Sequence, residues 1–119
     1  MSIVQIAEPW QGAGATSKNA VVIAPGRLDR SATGTGLSAR MAALHARGLM
    51  RVGDSMTHAS PIGSTFEGRI VSETKDGIVP AIRGRAFITG RTTWYDDDRD
   101  PFPEGYLLSD TWPGSDTQS

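Results

Sequence analysis

The sequence predicts an α+β fold in which several strands surround one central helix. Three observations lead there. Fourteen glycines and seven prolines divide the chain into short elements joined by tight turns. One stretch alone has helical periodicity, and four alternating segments follow it. At 119 residues the chain is expected to form one domain with a modest core.

Residues 1–19 show no sustained period, and "QGAGATSKN" reads as a loop, so they are expected to form a lead-in, partly loop. The domain proper is expected over 20–106. Its first strand is "AVVIAP", β-branched and ended by Pro25-Gly26. A loop carrying Asp29 to Gly34 follows. From Thr35 onward Leu37, Met41 and Leu44 recur at helical spacing, and Gly48 is placed to stop the helix. Alanines at 39, 42, 43 and 46 keep that helix slim, so neighbours can pack on several sides and the helix is expected to be central. The segments 54–60, 65–74, 77–82 and 85–95 read as antiparallel strands separated by glycine-containing turns such as "KDG". Trp94, Tyr95, Phe102 and Tyr106 are read as packing anchors of an extended segment laid over the domain. Residues 107–119 are expected to be a tail, partly disordered.

Twelve basic against thirteen acidic side chains leave a charge of −1, which gives no electrostatic case for nucleic acid or an anionic membrane surface. The longest apolar run is far short of the roughly 20 residues a bilayer span needs. No basic stretch followed by an apolar one opens the chain, so the expected location is cytoplasmic. Cysteine is absent, which removes disulfides, thiolate metal sites and any thiolate base. His45 has no Asp, Glu or His at i±4 and is read as structural, and His58 sits in a strand whose neighbours are too weakly patterned for a metal site; neither is expected to bind metal. Asp96-Asp97-Asp98 lacks the ligand spacing of a calcium loop and is read as surface. No cofactor and no metal are expected.

In "DRSATGTG" glycines at 34 and 36 let the backbone turn sharply just as a helix begins. Unpaired N–H groups near Gly34 and Thr35 would then face whatever lies in front of them. The helix dipole favours a negative group there, a carboxylate being the natural small one, and Asp29 could hold a positively charged amine. Together these suit an amino acid. The plainer alternative is a helix cap, with the Thr35 hydroxyl closing the first turn. The segment is neither the dinucleotide fingerprint, which Thr35 and Leu37 break, nor a P-loop.

The stretch "DRSATGTGLSARMAALHARG" resembles the second active-site motif of the proline racemase family, which typically reads D-R-S-P-C-G-T-G-T-S-A. "APGRLDRS", "HASPIGSTFEGRI", "VPAIRGRAFITG" and "DPFPEGY" stand in the family's order, and the resemblance covers roughly residues 20 to 106. It implies one half of a diaminopimelate epimerase-like fold: a curved mixed/antiparallel sheet wrapped around a central helix, with substrate in the cleft between two such halves. It also implies a chemistry in which two cysteines remove and return an α-proton, for which a thiol pKa near 8.5 is tunable and an alcohol's is not. Thr33 occupies the second cysteine's position, an exchange similar to that in the trans-3-hydroxyproline dehydratase branch. Racemisation by two cysteines is therefore excluded.

The first cysteine belongs to a Cys-Gly-His motif of the family's first half, so the resemblance is to the C-terminal half only. Ala32 replaces the motif's proline, and His58-Ala59-Ser60 and Val79-Pro80-Ala81 each lack a carboxylate that relatives often carry. The resemblance implies that "ITG" (Ile88 to Gly90) approaches the cleft, and it matches Asp54 to the Gly-Asp after the central helix without a role. The expected function is that of the C-terminal half of a trans-3-hydroxy-L-proline dehydratase-like enzyme of an isomerase or lyase family, inactive as an isolated chain. Thr33 holds the catalytic position, and Asp29, Gly34 and Thr35 contact substrate. The alternative is a non-catalytic half-domain that binds a small amino acid or self-associates. Expected partners are proline or hydroxyproline, bound weakly, a separately encoded N-terminal half, and a second copy in a homodimer.

Overall fold

The computed structural model describes residues 2–106. Two units are distinguished, residues 1–87 and 88–119. The first holds all the described regular structure: β1 (Ile3–Ala7), β2 (Thr16–Ile23), β3 (Arg27–Asp29), α1 (Gly34–Ala46), β4 (Ser55–Ala59), β5 (Thr65–Thr74) and β6 (Gly77–Arg83). The strands form a curled mixed sheet in the order β1-β2-β4-β5-β6, with β3 pairing β2 off that path.

β2 exchanges partners along its length. Its first residues run parallel to β4, with Ser17 opposite His58. Its later residues lie antiparallel between β1 and β3, with Val21 opposite both Gln5 and Asp29. β4, β5 and β6 are antiparallel neighbours, as their alternation predicts. Pro80 is tolerated in β6 because that strand ends the sheet order and needs no second ladder.

The helix turns Leu37, Met41 and Leu44 into the core, where they meet Met50, Met56 and Ile70, with Trp10, Phe66 and Ile78 at the margin. Close approach comes from the strand as well as from the helix's alanines. A Cβ on Gly68 of β5 would lie 2.8 Å from Met41 Cε and 3.0 Å from Leu37 Cδ2, so glycine there lets α1 sit low on β5 without displacing those side-chain ends.

Two expectations change. Residues 1–19 are more than a lead-in, because they supply β1 and the first four residues of β2. β1 escaped notice because its residues are exposed on both faces apart from Gln5, which leaves no alternation to read. Residues 85–95 form no strand; β-branched and aromatic residues favour a pleated surface only where a neighbour completes the ladder, and none does among the described residues. In the second unit Trp94 and Tyr95 are 88% and 90% exposed, and the rings of Phe102 and Tyr106 meet edge to face with centroids 5.3 Å apart. Residues 107–119, expected as a tail, lie outside the described residues.

Candidate anion-binding site at the start of the helix

Asp29 closes β3, and its Oδ1 accepts the Ser31 N–H at 2.8 Å, bending the chain out of the sheet. The Ser31 hydroxyl then accepts the Thr33 N–H at 3.2 Å. Ala32 between them is buried. Thr33 stands at the capping position with φ 52° and ψ 108°, a conformation that is costly for a β-branched residue. Its carbonyl accepts the first helical bond, from Leu37 N–H at 3.1 Å.

Among the described residues no side chain caps the helix. The alternative in which the Thr35 hydroxyl closes the first turn is therefore not realised, because the helix already begins at Gly34. Among the described residues the N–H groups of Gly34, Thr35 and Gly36 have no acceptor. These donors, with the positive end of the helix dipole, make a seat for an anion.

The Thr33 hydroxyl oxygen is screened from solvent and bonds to nothing. It is packed against the helix start, 2.4 Å from where a Cβ on Gly36 would lie; the Gln5 amide crowds the same point at 3.0 and 3.1 Å. Gly36 is thus required by contact, since its φ is not unusual. A cavity of about 470 Å³ opens in front of this turn, lined by Asp29, Thr33, Gly34, Thr35 and Gly36 together with Gln5 and the apolar side chains of Ile3, Val21 and Ile23. All four residues singled out in the sequence border this one space. A second cavity of about 610 Å³ shares Ser31 and is lined by Phe66, Glu67, Arg83 and Arg85.

Sequence reasoning missed what stands behind the turn. His58 is fully buried, and its Nδ1 lies 3.0 Å from the Ala32 carbonyl oxygen. Its Nε2 lies 3.4 Å from the Gln5 amide nitrogen, which also donates to Asn19 Oδ1 at 3.3 Å. Asn19, itself buried, donates to the Ala59 carbonyl at 3.0 Å. Burial pushes the His58 imidazole below its ordinary 6.5; the Ala32 bond opposes this and the charge of Arg40 adds to it. The one available signal was in β4, where strand alternation puts His58 on the same face as buried Met56.

The other candidates are structural. His45 Nδ1 donates to the Met50 carbonyl at 2.9 Å, and its Nε2 lies 3.4 Å from Glu73. Asp54 accepts the Arg51 N–H at 2.9 Å in a turn. Asp97 pairs with Arg99 at the exposed turn of the second unit. Ile88, first of the "ITG" residues, is exposed. No group of three or more His, Cys, Asp or Glu among the described residues could hold a metal ion. Among the described residues no helix is long and apolar enough to cross a membrane.

The family model for proline racemase matches residues 1–107. Among solved structures the chain is similar to a probable proline racemase from Agrobacterium radiobacter with bound carbonate, at 40% identity and a TM-score of 0.67, covering 89% of this chain and 32% of that one. It is also similar to a hydroxyproline epimerase from Agrobacterium vitis with bound trans-4-hydroxy-L-proline, at 36% identity and a TM-score of 0.66, covering 94% of this chain and 33% of that one. The chain spans about a third of the length of each of these relatives. With the curled sheet, the one helix among the described residues and a family match over residues 1–107, the chain belongs to the proline racemase family.

Proposed function

We propose that residues 29–36 form one wall of a binding site for proline-like amino acids and that the chain by itself performs no proton transfer. The observation that carries this reading is the set of three N–H groups, Gly34 to Gly36, left without acceptors among the described residues at a helix start that borders the same cavity as the Asp29 carboxylate. A ligand carboxylate accepts from these donors while its ring nitrogen faces Asp29. The fold in this reading is one half of a diaminopimelate epimerase-like pair, and the opposing wall comes from protein outside the 119 residues.

Proton removal from an α-carbon needs a base of suitable pKa within reach. The chain has no cysteine, and Thr33, at the second cysteine's position, keeps its hydroxyl buried and cannot ionise usefully near neutral pH. The site then fits the dehydratase-like arrangement, in which Thr33 stands on one face of trans-3-hydroxy-L-proline and the base comes from the other wall. Titration with pyrrole-2-carboxylate, a planar proline analogue, tests the binding claim by NMR. Amides of residues 29–36 should move first, with a dissociation constant of about 1 mM, or about −4 kcal/mol. Shifts scattered over the protein, or none, would refute it.

A second reading rests on β1, which ends the sheet order and exposes Ile3, Val4 and Ile6 by 62%, 57% and 65%. An exposed apolar strand at a sheet edge invites a like strand, and a two-fold dimer closes it without leaving a free edge. Light scattering should give twice the mass of the chain; a single-chain mass that is unchanged on concentration excludes this.

A further inference from the structure

We propose that His58 is a positioning residue for the anion seat: in its Nδ1–H tautomer, fixed from behind by Gln5, it clamps the Ala32 carbonyl and thereby holds Thr33 to Gly36 with their N–H groups turned to the ligand. This rests on the carboxylate reading of the site for its purpose, although the clamp itself is a property of the free protein.

The tautomer follows from donors and acceptors. A carbonyl only accepts, so the 3.0 Å contact between Ala32 O and His58 Nδ1 requires hydrogen on Nδ1. Nε2 then carries a lone pair and accepts from the Gln5 amide nitrogen at 3.4 Å. The second amide hydrogen of Gln5 goes to Asn19 Oδ1, and the Asn19 amide is anchored on the Ala59 carbonyl. The bonds from Ala59 to Ala32 all follow from the Nδ1–H tautomer with the Gln5 and Asn19 amide groups as donors, which ties the orientations of Asn19, Gln5 and His58 together.

The clamp acts where force is needed. Ala32 immediately precedes Thr33, whose backbone is strained and whose own side chain supplies no cap. A strained conformation persists only where its surroundings over-determine it. Ser31 holds the Thr33 N–H from the front, and His58 holds the preceding carbonyl from the core. β1 takes part as well, since Gln5 reaches both His58 and the space over Gly36.

The test uses the whole 119-residue chain. In the ligand-free protein, long-range proton–nitrogen spectra should show His58 protonated at Nδ1 and not at Nε2. His58→Ala should shift the amides of residues 33–36 and weaken binding of pyrrole-2-carboxylate at least threefold. His58→Asn, which keeps a donor near the Nδ1 position, should restore most of both. His45→Ala serves as control, lowering stability without moving those amides. Should His58→Ala fail to fold, Gln5→Leu and His58→Asn decide, the former shifting the same amides. An Nε2–H tautomer, unmoved amides at 33–36, or no rescue by Asn would overturn the proposal. If the unaltered chain does not bind pyrrole-2-carboxylate, the carboxylate reading fails alone, because the tautomer and amide shifts still test the clamp.

Discussion

At the C-terminal end of α1, Arg47, Gly48, Leu49 and Met50 all donate their N–H groups to carbonyls of the last turns, Gly48 adopts φ +72°, and His45 covers the Met50 carbonyl. At the N-terminal end, Gly34, Thr35 and Gly36 donate to no acceptor among the described residues, and a β-branched residue sits at φ 52° with its hydroxyl unpaired. One end is closed by its own sequence neighbours, as helix ends generally are. The other is held open by side chains from β1, β2 and β4. Strain and unpaired groups cost stability, so an end that keeps both is shaped by something other than folding, and a ligand that completes the unmade bonds is the simplest cause.

The comparison breaks most sharply at two glycines. Gly36→Ala places a methyl group 2.4 Å from the Thr33 hydroxyl and 3.0 Å from the Gln5 amide nitrogen, so it should cost about 1–3 kcal/mol and abolish detectable pyrrole-2-carboxylate binding. Gly48→Ala meets open space and suffers only from its positive φ, costing about 1 kcal/mol with binding intact. Urea unfolding and NMR titration of both variants separate the two ends. Equal losses of binding would mean that the N-terminal end has no special role.

Thr33→Gly sharpens the same contrast in the opposite direction. It relieves a disfavoured backbone and removes an unpaired buried hydroxyl, so it should stabilise the fold by about 1 kcal/mol while loosening the seat. A stability loss in urea unfolding would show that the methyl group's packing outweighs the strain.

A smaller effect separates the two ends by pH. The folded pKa of His58 is depressed, chiefly by burial and further by Arg40 against the opposing Ala32 bond, so the unfolded chain takes up its proton first. That contribution to stability is complete above about pH 6.5 and is lost as pH falls through the folded pKa. His58→Asn should flatten this part of the unfolding profile, and an unchanged profile would remove His58 as its source.

How much of this was legible in the sequence follows the same division. Leu37, Met41, Leu44 and Gly48 announced the helix and its stop, and β5 runs over the predicted residues 65–74, because each of these signals lies within one element. The helix start was legible as a glycine-rich turn that pointed to Asp29, Gly34 and Thr35, and the family resemblance added Thr33. The network behind it was not, because Gln5 and His58 are 53 residues apart and meet only when β1, β2 and β4 share a sheet. No periodicity encodes such a meeting. The strand expected at 85–95 failed for the complementary reason, since composition reports a preference for a ladder but not the presence of a partner.

The central claim is that the open end of α1 recognises negative charge, and a matched pair of ligands tests it most directly. Pyrrole-2-carboxylate and the neutral pyrrole-2-carboxamide have nearly the same shape but differ in charge. If Gly34 to Gly36 form an anion seat, the carboxylate should bind about tenfold more tightly, about 1.4 kcal/mol, with the largest shifts at those three amides. Equal affinities, or shifts centred on residues 47–50 instead, would contradict the account.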